Sequence, residues 1–300
     1  MAITLIENFR AVFYTPFYAT FALHAYEAEG IDVQMKASAD AAQTMHALLT
    51  GVGEVSWGGP LRLMLAREKN PAHEPIVFCE VVGRDPFFLL GREPNPRFEL
   101  AHLLERTLAV TTEVPTPWMC LQHDLRLAGL DPSRIRLAPG RTMPENAAAL
   151  RAGEVDVDPG VSAVCQRGRA TGAAHVWYAA DTRGPTAYTT LNTTRAYVDK
   201  NPQALLAVCC AMYRTQKWIA AHDGKALAEK VASYSPSLSA STLAACYDDY
   251  LRLKLWNRTA MAERRRARER AHAAAIRVRR HRGHALRRTG DQRGPVGALS

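Results

Sequence analysis

Tyr14-Thr15-Pro16-Phe17-Tyr18, running on from Ala19 to Glu29 and into Gly30-Ile31-Asp32-Val33, is the stretch whose reading decides the fold. Upstream of it, Ile3-Thr4-Leu5-Ile6 reads as a short strand that leads through Asn8 and Phe9 into the aromatic loop. From Ala19 to Ala28 the apolar residues Phe21, Ala22, Ala25 and Tyr26 recur without glycine or proline, a spacing that predicts one helix with one buried face. Gly30 stands where a helix stop needs a left-handed backbone, and Ile31-Asp32-Val33-Gln34-Met35 alternates as the next strand. Strand, loop, helix and strand in this order put an aromatic-lined loop at the carboxyl end of a strand and the start of a helix. Open α/β sheets hold small ligands at that place.

Further along, Ala41 to Leu49 reads as a helix, followed by Thr50-Gly51-Val52-Gly53-Glu54-Val55-Ser56-Trp57-Gly58-Gly59-Pro60. A similar passage follows Glu145 to Leu150, as Arg151-Ala152-Gly153-Glu154-Val155-Asp156-Val157-Asp158-Pro159-Gly160. Each reads as helix, glycine stop, Glu-Val, short strand and a loop rich in glycine or proline. Two copies about a hundred residues apart predict two lobes of one design rather than a short-period solenoid. The second lobe is expected to start at Arg92-Glu93-Pro94, after the strand Phe87-Phe88-Leu89-Leu90. Its first strand is Leu108-Ala109-Val110-Thr111, its ligand-facing loop Glu113 to Pro117 and its first helix Trp118 to Ala128. The expected organisation is 1–91 as the first part of lobe 1, 92–185 as lobe 2, 186–258 as the return to lobe 1 with C-terminal helices, and 259–300 as a tail.

Thr15 to Val33 resembles the opening of the SsuA/THI5-like (NMT1/THI5) family, and Gly129-Leu130-Asp131-Pro132 resembles that family's turn after the corresponding helix. The family comprises solute-binding proteins of the nitrate/sulfonate/taurine type and the related thiamine-pyrimidine synthases. The resemblance runs from about Ile3 to about Trp256. It implies an α/β, two-lobed periplasmic-binding-protein type II fold, each lobe a mixed sheet flanked by helices. It also implies a ligand held in the cleft by closure about hinge strands.

Four loops are expected to converge on that cleft. Tyr14, Thr15 and Tyr18 offer hydroxyls and ring faces, although core and strand-end packing would explain Tyr14, Phe17 and Tyr18 equally well. Trp57 with Gly58 and Gly59 sets an aromatic beside backbone that a ligand can approach closely. Arg84 and Asp85 stand at the crossover, Arg84 as ligand counter-charge, as partner of Asp85 or as a surface residue. Thr116 and Trp118 begin the second-lobe helix, where a hydroxyl beside helix N-terminal amides suits a sulfonate, phosphate or carboxylate. Asp158 and Asp181 complete the set. Trp57→Ala and Thr116→Ala are each expected to weaken ligand binding without unfolding the chain.

Three hundred residues, 47% of them hydrophobic, allow two lobes of ordinary size, and no apolar run approaches a membrane span. The formal charge of +9 is confined to the end of the chain. From Thr259 to Ser300 there are 12 Arg against Glu263, Glu269 and Asp291, which leaves 26 basic and 26 acidic residues elsewhere. This Arg-rich composition is that of a disordered, solvated extension. A nucleic-acid arm is the alternative, but no aromatics interleave the arginines to stack bases, and a change of reading frame after Arg258 is a third possibility. No nucleic-acid partner is therefore expected.

The six cysteines, Cys79, Cys120, Cys165, Cys209, Cys210 and Cys246, lack CxxC spacing and read as small buried residues of a reducing compartment. Met1 enters the first strand without a signal-peptide pattern, so the chain as written is expected in the cytoplasm. A longer true N-terminus would place it in the periplasm or cell envelope. The histidines stand singly, and no GxSxG, P-loop or GxGxxG is present, so no metal site is expected.

The leading expectation is a substrate-binding protein of an ABC-type importer, a monomer that captures a small sulfonate, carboxylate or pyrimidine-like solute for an ABC permease, without cofactor. The alternative is a cytoplasmic thiamine-pyrimidine synthase. The resemblance implies that such an enzyme uses pyridoxal phosphate on a lysine, a histidine that is consumed, and a cysteine-rich stretch for iron. Ser56-Trp57-Gly58-Gly59-Pro60-Leu61-Arg62 holds neither lysine nor histidine, and an arginine cannot form the Schiff base.

Overall fold

The computed structural model describes residues 2–38 and 41–258. The Arg-rich tail read from Thr259 onward lies outside the described residues. The chain opens with β1 (Ala2–Glu7), α1 (Thr15–Ala22), α2 (Ala25–Ala28), β2 (Asp32–Ala37), α3 (Ala41–Leu49), β3 (Val55–Gly58), α4 (Pro60–Lys69) and β4 (Pro75–Val82). It continues with β5 (Phe87–Gly91), β6 (Thr107–Leu108), α5 (Thr116–Leu127), β7 (Arg136–Leu137), α6 (Met143–Ala152), β8 (Val157–Val161), α7 (Ser162–Thr171) and β9 (His175–Ala179). It closes with β10 (Thr189–Thr194), α8 (Arg195–Lys200), α9 (Pro202–Ala220), α10 (Gly224–Val231) and α11 (Ala240–Arg252).

The strands form two sheets of one design, ordered β2-β1-β3-β10-β4 and β7-β6-β8-β5-β9. In each, the first three strands are parallel, the fourth runs antiparallel to the third, and the fifth runs antiparallel to the fourth. The expected α/β, two-lobed fold with a mixed sheet in each lobe is therefore the observed one. Every strand that swaps sheets marks a crossover. β5 lies in the second sheet, paired with β8 and β9, so the first crossover runs through residues 83–86 rather than after residue 91. The boundary read at Pro94 marks only the end of a strand already committed to lobe 2. The second crossover, 184–188, returns the chain to β10. The two crossovers are tied by Thr186 N–H to Gly83 O (2.8 Å) and Tyr188 N–H to Val82 O (2.7 Å).

The internal repeat is real but its register differs from the Glu-Val alignment. Thr4 donates its N–H to Glu54 Oε2 (2.7 Å) and accepts from Glu54 N–H (3.1 Å). Thr107 and Asp156 repeat this exchange at 2.8 and 2.9 Å. Glu54 therefore corresponds to Asp156, not Glu154, and Trp57 to Pro159. Gly51 and Gly153 share a left-handed φ, +74° and +79°, after their helices, which is the backbone state that favours glycine there. Glu-Val recurs one strand turn too early to be the structural match.

The single helix expected over Ala19 to Ala28 is two. His24 takes a left-handed φ of 52°, ending α1 and starting α2. That conformation costs a non-glycine residue about 1–2 kcal/mol, and the break turns Ala25 and Tyr26 into the core, Tyr26 edge-on to Phe21 at 4.9 Å. The strand expected over Leu108 to Thr111 is shorter than read, with Thr111 left as an isolated bridge to Arg141. Helix starts follow local chemistry. Thr142 and Glu145 form a capping box at α6, Asp223 caps α10 and Ser239 caps α11, while Pro16, Pro60, Pro117 and Pro202 occupy first turns where no N–H is needed.

The largest core cluster joins lobe 1 to the crossovers through Phe13, which meets Phe87 and Tyr188, one from each crossover side, at 6.1 and 6.5 Å. The end of the chain locks this joint: Trp256 Nε1 donates to Phe13 O (2.9 Å), and Gly83 N–H donates to Leu255 O (2.8 Å). α11 also reaches lobe 2. Ser162 donates its N–H to Tyr250 Oη (3.1 Å), and Asp249 Oδ2 accepts from Ser162 Oγ (3.1 Å) and Gln166 Nε2 (2.7 Å).

Candidate functional site

The loop that follows β3 in the first sheet meets the start of α5, the helix that follows β6 in the second. Gly59, the residue after β3, stands beside Thr116 at the start of α5. A Cβ built on Gly59 would stand 3.7 Å from Thr116 Oγ1 and 3.3 Å from Tyr188 O. Gly59 has an ordinary extended φ of −76°, so the lack of a side chain serves close approach and not backbone strain.

Tyr14 lies on the lobe 1 side of this meeting. Its Oη accepts from Asn8 Nδ2 (3.0 Å), and its ring stands edge-on to Trp57 at 5.9 Å. Burial raises its phenol well above the ordinary value, so it stays protonated and can donate. Trp57 is fully buried, stacked on Phe17 with centroids 4.5 Å apart and planes 7° apart. Its Nε1 is buried without a hydrogen-bond partner. Gly58 O accepts from Thr190 Oγ1 (3.2 Å) and Asn192 Nδ2 (3.5 Å), which holds the loop against β10.

The other residues expected in the cleft divide by place. Thr15 turns its hydroxyl onto Val12 O (2.6 Å), and Tyr18 donates to Glu7 Oε1 (2.8 Å) while stacking on Tyr234 at 4.9 Å. Both hydroxyls thus serve the chain itself. Arg84 Nη1 donates to Asp181 O (3.1 Å). Asp85, 1% exposed, accepts from Phe87 N–H (3.1 Å) and Arg183 Nη1 (2.5 Å). Arg183 also binds Asp124 on α5 through Nε (2.9 Å) and Nη2 (2.5 Å). Asp181 beside them is pushed up by burial.

Asp158 is 1% exposed with both carboxylate oxygens lacking partners, and burial pushes it up to about 7. It sits on the α7 side of its sheet, because Gly160, two residues on, faces Val164. Trp118 faces the opposite side, in a small cavity with Pro117, Leu121, Pro159 and Tyr178. Tyr14, Trp57, Gly58, Gly59 and Thr116 are thus brought together, whereas Asp158 and Trp118 lie on opposite faces of the second sheet.

Several polar residues at the site carry no weight in the sequence reading. Glu7, 3% exposed, ends β1 and is held by Arg10 Nε (2.7 Å) as well as Tyr18. Ser38 Oγ donates to Glu7 O (2.9 Å), and Thr189, at the start of β10, is fully buried beside Tyr14. A Glu-Asn pair closing a strand was a readable signal for the first of these. Arg183 had none, since its partners lie 98 and 59 positions away.

The residues present do not fit pyridoxal phosphate in this loop. Arg62 is the only basic residue between Ser56 and Arg62, and Trp57 occupies the core beside Phe17. Among the described residues no three His, Cys, Asp or Glu side chains group to hold a metal ion.

The family model described as NMT1/THI5 like matches residues 13–226. A candidate binding protein, YtlA of Bacillus subtilis (strain 168), is 22% identical over 232 residues, 76% of this chain and 69% of its own. The periplasmic aliphatic sulphonate binding protein SsuA of Escherichia coli shares the fold with a TM-score of 0.77 at 15% identity, over 93% of this chain and 92% of that one. The alkanesulfonate-binding SsuA of Xanthomonas axonopodis pv. citri, bound to MOPS, matches with a TM-score of 0.74 at 13% identity, over 94% and 93%.

Proposed function

This chain belongs to the NMT1/THI5-like family, and from that premise we propose that it is the substrate-binding protein of an ABC-type importer. It captures a small organic solute, a sulfonate, carboxylate or pyrimidine-like compound, between its lobes and presents it as a monomer to a permease. The observation that carries the reading is the approach of Gly59 to Thr116 across the gap, with Tyr14 alongside. Loops from two lobes joined by two tied crossovers can close on a solute without any chemical step. The sulfonate-binding proteins that share the fold support the ligand class. Two of them are described as binding proteins of that kind, and the Escherichia coli one as periplasmic, which supports a place of action in the periplasm or at the cell envelope. No helix among the described residues is long and apolar enough to cross a membrane.

The test is isothermal titration of the full chain with alkanesulfonates, benzoate and aminopyrimidines, paired with small-angle scattering. One class binding at one site per chain, with Thr116→Ala weakening it by about 1.5–3 kcal/mol, the scale of a hydrogen bond lost to a charged group, is the expected result. Binding of pyridoxal phosphate with an imine absorbance band, and of no solute, would overturn the reading.

A further inference from the structure

The two lobes start alike at a second place. Thr15-Pro16-Phe17 opens α1 and Thr116-Pro117-Trp118 opens α5, each helix following the strand that lies second in its sheet. Opposite these helices, Trp57 and Pro159 occupy the same position on β3 and β8, each two residues beyond a valine paired to a leucine of the neighbouring strand, Val55 to Leu5 and Val157 to Leu108. In lobe 1 the pair is filled, since the Trp57 indole lies flat on Phe17. In lobe 2 the counterpart of the indole is a proline ring, and Trp118 and Pro159 instead line a cavity.

We infer that this space is a subsite of lobe 2 for the apolar end of the solute, an alkyl or aryl group. The inference rests on the solute-binding reading and adds the part of the ligand that lobe 2 selects. Phe87, Leu108 and Leu121 supply carbon walls, and Pro117 sits next to Thr116, which faces Gly59 across the gap. A solute held between the lobes therefore has an apolar recess one residue from its contact with α5. Arg183 and Asp85 also line the space and are paired with each other at 2.5 Å, so a charged head group finds them already engaged. The cavity is small, about 20 Å³. That is little more than one water requires, so the recess takes the leading one or two carbons. Protein interiors seldom leave such gaps unfilled, which makes a systematic difference between repeated halves informative.

The test titrates the full chain with methane-, ethane-, propane- and benzenesulfonate. Affinity is expected to rise about fourfold for each of the first two added methylenes and then to level off. Pro159→Phe, which fills the recess from the sheet, and Leu121→Phe, which fills it from α5, should bring the propane-to-methane affinity ratio close to one. Each variant is first checked for cooperative unfolding. A wild type with no length dependence, or a ratio that persists in a folded variant, overturns the subsite while leaving the solute-binding reading intact. If no sulfonate binds, that reading loses its ligand class, and the recess is tested alone with ethane, which matches its one- or two-carbon capacity. Ethane-induced methyl shifts at Leu108 that vanish in Leu121→Phe uphold it, and their absence from the wild type overturns it.

Discussion

Arg183 and Asp85 join the two crossovers. The guanidinium, from the segment that ends lobe 2, donates to a carboxylate in the segment that enters it, at 2.5 Å and with Asp85 fully out of solvent. Arg183 binds Asp124 as well, so one side chain pins both crossover strands to α5.

Removing one partner of a buried pair leaves an uncompensated charge. Asp85→Ala is therefore expected to cost about 3 kcal/mol in urea unfolding, the low end of the range for such breaks because Asp124 still holds Arg183. A loss under about 1 kcal/mol would put the pair in the class of surface bridges.

Trp57 changes role between sequence and structure. Expected as a cleft residue whose truncation would spare the fold, it is fully buried and stacked on Phe17. Trp57→Ala should destabilise the chain by about 3–5 kcal/mol, the cost of a large aromatic cavity, and Trp57→Phe by less. Unchanged stability with lost ligand affinity would return the residue to the cleft.

Asp158 should make stability depend on pH. Its folded carboxyl titrates at about 7 and an unfolded aspartate at 3.8, so between these values the unfolded state binds fewer protons. Stability contributed by the neutral acid is complete below the lower value and is lost as pH rises through the upper one. At 1.36 kcal/mol per pH unit the whole loss is about 4 kcal/mol. Asp158→Asn, which keeps the shape without the charge, should flatten this slope and be the more stable form at pH 8. Parallel slopes for the two proteins, measured by urea unfolding from pH 4 to pH 8, would show that Asp158 has a charged or hydrogen-bonding partner.

Local chemistry made much of the fold readable. Gly51 and Gly153 announced two similar helix ends, Pro202 marked a helix start, and the alternation of Ile31 to Met35 marked a strand. Signals of this kind act over a few residues, so they survive in a linear reading. The exchange of β5 into the second sheet left no such mark, because Phe87-Phe88-Leu89-Leu90 is equally apolar in either sheet. The slip of the repeat from Asp156 to Glu154 has the same origin, since only the hydrogen bonds to Thr107 fix which acid is the match.

The sequence by itself determined the family, the two-lobed α/β class, the neutrality of the first 258 residues and the loops in which a ligand site should be sought. Periodicity, turn residues and a matched opening segment are properties of neighbouring positions. Only the tertiary structure decided which of those loop residues meet. It set Gly59 against Thr116, buried Trp57 on Phe17, gave Asp85 to Arg183 and left a gap where Pro159 answers Trp57. These outcomes depend on side chains 40 to 98 positions apart competing for the same space and charge, and packing resolves that competition only once both sheets are in place.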